Sequence, residues 1–319
     1  MPYKQKIRLL TVLACALALV YALALFFDPE RSNARRASFT WLPPGARDEA
    51  DGIEIIRGEN RLALSLKNGR WFALLEGALE VPVKQGRVDD LFRILSTRGA
   101  FPRRGSSAAS HGDLDLGNGA ARLLIRGGAG IPLLDLLVGG DDSSGREVFL
   151  RKNGENLFRS GDKLIGAYVK GEYSSWYDLK LFEEKSLDQV QRIRVAFSGL
   201  EFAPGEEGDP PRAEEYVVVR SGEGWTFEGG PALADKDKVE TWIRGILEAQ
   251  GDDVAPSPEG FNGAGGIRVE LGDGTALSVQ MGNAGEGGKT PAVAGGRTYA
   301  FILSPWTVTR LLRDRGYFL

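Results

Sequence analysis

The sequence predicts an α+β protein: an N-terminal transmembrane helix followed by two tandem, diverged copies of a mainly antiparallel sheet unit. Each unit is expected to carry one longer and one short helix. Three observations carry this prediction. An apolar run of roughly twenty residues stands near the N-terminus. Short apolar stretches punctuated by glycine pairs, such as Gly139-Gly140 and Gly265-Gly266, fill the rest and argue for many short strands. The same succession of landmarks, a Trp-led strand and then an amphipathic helix, also occurs twice.

The first element is the membrane signal. Lys4, Lys6 and Arg8 precede the run from Leu9 to Phe27, which only Thr11 interrupts. Such a run is long enough to cross the hydrocarbon core as a helix, and basic residues before it favour a cytoplasmic N-terminus. The expectation is therefore a cytoplasmic tail and anchor over residues 1–27, with residues 9–27 in the lipid bilayer. The location implied is a single-pass cell (inner) membrane protein with its soluble part outside the cytoplasm. Ala22-Leu23-Ala24 has the form of a signal-peptidase site, but apolar residues continue through Phe27. Val12-Leu13-Ala14-Cys15 resembles a lipoprotein box, preceded by too short an apolar region. An uncleaved anchor is the expectation. Residues 28–52, with Pro29, Pro43, Pro44 and scattered charges, read as a linker.

The first unit is expected over 53–182, a charged connector over 183–189 and the second unit over 190–319. Strands are predicted at Ile53 to Ile56 and Leu62 to Leu66, and again at Ile193 to Phe197 and Tyr216 to Val219. Trp71 and Trp225 then each open a short strand. Val88, Leu91, Phe92 and Leu95 fall at i, i+3, i+4 and i+7, as do Val239, Trp242, Ile243 and Ile246, so each set forms one apolar face of a helix. Asp235 is placed to cap the second helix, whereas Lys84 stands at the matching position of the first. Downstream, Leu133 to Val138 before Gly139 matches Ala276 to Met281 before Gly282. Ser304-Pro305 starts a closing helix, with Val308, Leu311 and Leu312 on its buried side.

Taken in this order, the repeated Trp strand, the Val-x-x-Leu helix, the strand ending in Gly, the Tyr299 strand and the final helix resemble a bacterial family known as domain of unknown function 4340. Gly260-Phe261-Asn262 looks like that family's Gly-Leu-Asp turn, and Gly112-Asp113-Leu114 is the nearest counterpart in the first unit. The resemblance implies an N-terminal membrane helix, a repeated unit, and a setting beside gliding-motility-type ABC transporters. It implies no reaction.

Composition narrows the chemistry. Hydrophobic residues make up 42% and charged residues 26% of 319, as in a globular protein. With Lys+Arg 40 against Asp+Glu 43, nothing favours nucleic acid as a partner. The one cysteine, Cys15, lies in the apolar run, so cysteine nucleophiles, disulfides and thiolate metal sites are excluded from the soluble part. Asn283 to Thr290 ends in Gly-Lys-Thr like a phosphate loop. Asn283 replaces the first glycine, however, and Pro291 to Gly296 cannot form the helix that would hold the phosphate, so a strand connection is expected.

His111 lies among Ser107, Ser110, Asp113 and Asp115, which makes a triad imaginable; without a Gly-x-Ser-x-Gly elbow it reads as a solvated loop residue. Adjacent acids such as Asp89-Asp90 and Asp141-Asp142 diverge on any regular element and read as solvated charge. Trp71, Trp225 and Trp242 read as core. Trp176 reads either as packing at the junction of the units or as an aromatic contact surface. The sequence therefore points to a membrane-tethered, non-enzymatic binding or scaffolding module with no catalytic residue, cofactor or metal ligand to assign. The partner that the resemblance implies is a membrane protein such as an ABC-transporter component. The alternatives are an extracytoplasmic hydrolase using carboxylates and a soluble-ligand receptor.

Overall fold

A computed structural model of the chain describes residues 15–21, 38–75, 79–197, 214–230, 233–256, 261 and 263–319. The protein is mostly antiparallel β-sheet with few helices, an α+β fold with two large sheets. In chain order the first part contains β1 (Ser38–Phe39), α1 (Ala46–Glu49), β2 (Ala50–Arg57), β3 (Asn60–Lys67), β4 (Arg70–Leu75), β5 (Leu79–Pro82) and α2 (Gln85–Ser96). It continues with β6 (Gly99–Ala100), β7 (Arg103–Gly105), β8 (Ala121–Gly127), β9 (Pro132–Asp141), β10 (Glu147–Lys152), β11 (Phe158–Asp162) and α3 (Lys163–Lys170).

The second part contains β12 (Val190–Ala196), β13 (Glu215–Ser221), β14 (Gly224–Phe227), β15 (Leu233–Ala234), α4 (Lys236–Leu247) and β16 (Asp253–Pro256). After these come β17 (Gly265–Leu271), β18 (Ala276–Met281), β19 (Thr290–Ala294), β20 (Tyr299–Leu303) and α5 (Pro305–Leu311).

The first large sheet runs β5-β4-β3-β2-β8-β9-β10-β11-β7 and the second β15-β14-β13-β12-β17-β18-β19-β20-β16. The two orders are the same, strand for strand. Contacts group the chain into two compact units, one reaching to Trp71 and including Gln85–Gly171, the other comprising Phe72–Lys84 and Glu172–Leu319.

Period-two burial explains the strands. In β2, Ile53 and Ile55 are buried while Glu54 faces the other side, and in β12 Ile193 and Val195 alternate with Arg194 in the same way. The sequence expectation has four or so further strands after each longer helix but gives no residues for β8 and β17, which pair directly with β2 and β12 (Ile53↔Ile125, Ile193↔Val269). Arg122 and Arg126, like Arg268 and Glu270, interrupt their apolar character. These charges sit on the outward face, where Arg122 pairs with Asp135 at 2.6 Å and Arg126 with Glu54 at 3.2 Å.

The helices follow from their apolar stripes. Val88, Leu91, Phe92 and Leu95 of α2 are buried, as are Val239, Trp242, Ile243 and Ile246 of α4. The Asp235 carboxylate accepts the N–H groups of Asp237 and Lys238 at 3.0 and 3.1 Å, a capped start. At the start of α2, Gln85 instead exchanges two hydrogen bonds with the Trp71 backbone, at 3.1 and 3.2 Å. Ser304 caps α5, with Pro305 in its first turn.

Residues 38–52, assigned to the linker in sequence, are instead folded. β1 pairs with β6, and Trp41, Leu42, Ala46 and Ala50 are buried, with Trp41 and Leu42 donating to the Leu95 carbonyl at 2.9 and 3.1 Å. Prolines and charges mark an irregular path here, but the aromatic and aliphatic side chains between them find a core. The predicted span at 9–27 lies mostly outside the described residues; of it, 15–21 are helical and exposed. No helix among the described residues is long and apolar enough to cross a membrane.

Candidate functional site

In the first unit a cavity of about 450 Å³ lies where the end of β2, Gly139 of β9, the C-terminus of α3 and the loop after Gly112 meet. Arg57, Lys170 and Asp115 line it together with five glycines, including Gly58 and Gly139. Gly139 is required by close approach: a Cβ there would stand 2.3 Å from the Leu114 carbonyl oxygen. That carbonyl accepts the Gly140 N–H at 2.9 Å, so the loop lies directly on the strand.

The cations of the cavity are engaged. Arg57 donates to the Lys170 carbonyl at 2.8 Å. Lys170 Nζ donates to the Gly139 carbonyl at 3.0 Å and to Asp141 at 3.2 Å. The hydrogen bond and charge of Lys170, with a smaller contribution from Lys163, hold the Asp141 carboxyl below its ordinary range. Asp115 takes a left-handed backbone conformation, φ 55, which aspartate tolerates better than most residues. The arrangement can hold a polar ligand by backbone groups and fixed charges.

His111 departs from the sequence expectation. It is buried rather than solvated, with Nε2 3.0 Å from the Asn156 carbonyl and its ring edge-on to Phe158. The cause is tertiary: Leu116 joins Leu137 and Phe158 in a small apolar cluster, with Leu114 packed against it, and this cluster draws the loop onto the sheet. The alternation Leu114-x-Leu116 was the signal for this docking. The hydrogen bond of the imidazole runs to a backbone carbonyl, not to Ser107, Ser110, Asp113 or Asp115.

The Gly-Lys-Thr segment is a turn between β18 and β19. Gly287 and Gly288 take positive φ, and strand β19 begins directly at Thr290. Residues Gly260 and Asn262 lie outside the described residues. The acidic neighbours serve separate partners: Asp89 bonds Arg47 and Asp90 bonds Arg93, while Asp141 meets Lys170 and Asp142 caps its own turn. Trp71, Trp225 and Trp242 are buried. Trp176 is fully buried too, which removes it as an aromatic contact surface; its carbonyl accepts the Lys84 N–H at 2.9 Å.

In the second unit a groove of about 370 Å³ lies beside Trp306, between the end of α4 and α5. Trp306 is 66% exposed and Arg310 stacks on it at 4.4 Å, a pairing that no pattern in the sequence marks. Among the described residues no group of three or more His, Cys, Asp or Glu side chains is placed to hold a metal ion. Comparison with protein families, curated proteins and solved structures finds no match.

Proposed function

We propose that the chain is a membrane-tethered, non-enzymatic binding or scaffolding module, anchored through residues 9–27 and serving as an accessory component of an ABC-transporter or envelope complex. The observation that carries this reading is the identical strand order of the two large sheets. It supports a duplicated unit, two diverged copies of one design, as the resemblance to the domain of unknown function 4340 family implies. Duplication multiplies presentable surface, which suits an adaptor.

Electrostatics favour this reading over a carboxylate hydrolase. A general acid needs a raised pKa near neutrality. Each Asp or Glu side chain whose pKa is displaced among the described residues moves down instead. For Asp135, burial alone would raise the pKa, but hydrogen bonds from Arg122 and Asn153 outweigh it. Asp188 and Asp273 are lowered by nearby hydroxyl donors, Ser186 and Thr275.

Purification of the tagged full chain from membranes tests the proposal. The chain is expected to resist alkaline carbonate, to dissolve in mild detergent, and to elute with a second membrane protein in fixed proportion. Recovery as a lone species, or release by carbonate, would refute it.

A further inference from the structure

We infer that the second unit carries a docking surface for the anionic phospholipid headgroups of a bilayer, formed by Trp306, Arg310, Arg313 and Tyr317. This deepens the tethering proposed above and rests on it. All six tryptophans are described, and Trp306 is the exposed one; the other five are at most 5% exposed. Tyr317 is exposed as well. Arg310 lies over the Trp306 ring at 4.4 Å and Arg313 over the Tyr317 ring at 4.7 Å, with Lys238 Nζ 6.0 Å from the same ring.

These pairs share one face. Arg310 and Arg313 are three residues apart, and Arg310 reaches Gly245 of α4, where an added Cβ would meet its guanidinium at 3.4 Å. Lys238 and Gly245 are seven residues apart, two turns along one side of α4 and about 10 Å by helical rise. The stripe therefore runs along α4 with an aromatic–cation pair towards each end.

The charges are available. Arginines on the outer sheet faces pair with carboxylates, as Arg192 does with Glu228 at 2.7 Å and Arg194 with Glu215. Among the described residues, Arg310 and Arg313 have no such ion pair. A guanidinium stacked on a ring keeps its N–H edge open to phosphate oxygens.

A specific protein interface buries about 800 Å² on each partner, whereas the exposed large apolar side chains of this segment are Trp306, Tyr317 and Leu319. Here two amphipathic rings stand beside Arg310 and Arg313, with Glu248 and Asp252 lining the groove next to Trp306, and the pairing of aromatic with basic side chains is that of a membrane–water interface. The matching helix of the first unit, α3, has Leu164 and Tyr168 at the positions of Trp306 and Arg310; there Arg87 of α2 lies over Tyr168 at 4.6 Å, so what belongs to the second unit is the exposed tryptophan under a guanidinium.

The test uses the full chain in nanodiscs of phosphatidylcholine alone or mixed with phosphatidylglycerol. Subtracting the emission of Trp306→Phe isolates Trp306. With phosphatidylglycerol, Trp306 is expected to shift to the blue and become shielded from acrylamide, and high salt is expected to reverse this. Arg310→Gln with Arg313→Gln should restore access. Each neutralised arginine is expected to weaken surface binding about fivefold, and both about twenty-fold. Equal acrylamide access in both lipid mixtures, or shielding that the arginine variant leaves unchanged, overturns the inference. If the chain does not enter the discs, the tether fails, and cosedimentation with phosphatidylglycerol vesicles decides the surface. Binding lost in the double variant upholds it; no binding, or unchanged binding, overturns it.

Discussion

Beneath α2 the first sheet packs aliphatic side chains around one aromatic pair, Trp71 and Phe92, whereas beneath α4 the second gathers a cluster of four rings. Register makes the positions comparable: Ile55 pairs with Leu62 where Val195 pairs with Tyr216. Leu91 of α2 stands where α4 has Trp242, and Ala73 of β4 stands where β14 has Phe227. In the second unit the rings of Tyr216, Phe227, Trp242 and Phe318 meet with centroids 4.9 to 6.5 Å apart.

The covers differ too. α2 is covered by a segment that precedes its sheet, through Trp41 and Leu42, and α4 by one that follows its sheet, with Asp235 N–H donating to the Phe318 carbonyl at 2.8 Å. Two polar handles secure the second cover: Tyr216 donates to the Arg313 carbonyl at 2.6 Å and Trp242 Nε1 to the Leu311 carbonyl at 2.9 Å. Burial raises the pKa of Tyr216, so the phenol stays a donor. A shared strand order thus dictates which positions are inside, while volume and polar ties are free to diverge.

The largest effect expected comes from breaking this contrast at its centre. Trp242→Ala removes a buried ring and leaves the Leu311 carbonyl without its donor, a loss of about 4 kcal/mol. Leu91→Ala at the matching position opens a smaller cavity and costs about 3 kcal/mol. Denaturant unfolding of both variants measures the difference. Equal losses would mean that the aromatic cluster contributes no more than the aliphatic layer it replaces.

A sharper comparison lies at the glycine that ends the matching strands. At Gly139 an added Cβ meets a backbone oxygen at 2.3 Å, whereas at Gly282 it meets the side chains of Phe261 and Pro291 at 3.1 and 3.2 Å. Backbone cannot retreat as a side chain can. Gly139→Ala is therefore expected to cost about 2–3 kcal/mol and Gly282→Ala about 1 kcal/mol or less. Thermal unfolding checks the order; a larger loss at Gly282 would show that its loop is the tighter one.

Much of this scaffold was legible because it rests on period. The stripes Val88-Leu91-Phe92-Leu95 and Val239-Trp242-Ile243-Ile246, the Asp235 cap and the Ser304-Pro305 start are local patterns with local causes. Strands β8 and β17 were not legible, since residues such as Arg122 and Glu270 on an outward face make a central strand resemble a loop until its partners are known. The same holds for 38–52, where Trp41 and Leu42 are buried by α2, an element more than forty residues on. Of the candidate site, Gly139-Gly140 could be read as a turn signal, but its role as a bed for the Leu114 loop depends on tertiary approach. Burial of His111 depends on its contact with Phe158, more than forty residues on, which no local pattern reveals.

The smallest effect expected separates the two turns that follow these glycines. In the first, Asp142 accepts the N–H groups of Arg146 and Glu147, each at 3.0 Å, and the Ser144 hydroxyl. The backbone bond from Glu147, followed by that hydroxyl, lowers its pKa from 3.8 to about 2. Because the folded form holds the proton more weakly than the unfolded chain, its contribution is complete above about pH 4 and disappears as pH falls through about 2. In the second turn the Gly285 N–H bonds the Lys289 carbonyl at 2.8 Å and positive-φ glycines shape the chain, so nothing in that bond titrates. Amide exchange corrected for intrinsic rates should therefore show Arg146 and Glu147 losing protection between about pH 4 and 2 while Gly285 keeps its own. Asp142→Asn should make the first turn indifferent to pH across that window. Flat protection at Arg146 and Glu147 in the unmodified chain would mean that the carboxylate does not organise the turn, and the two turns would then differ in sequence but not in physics.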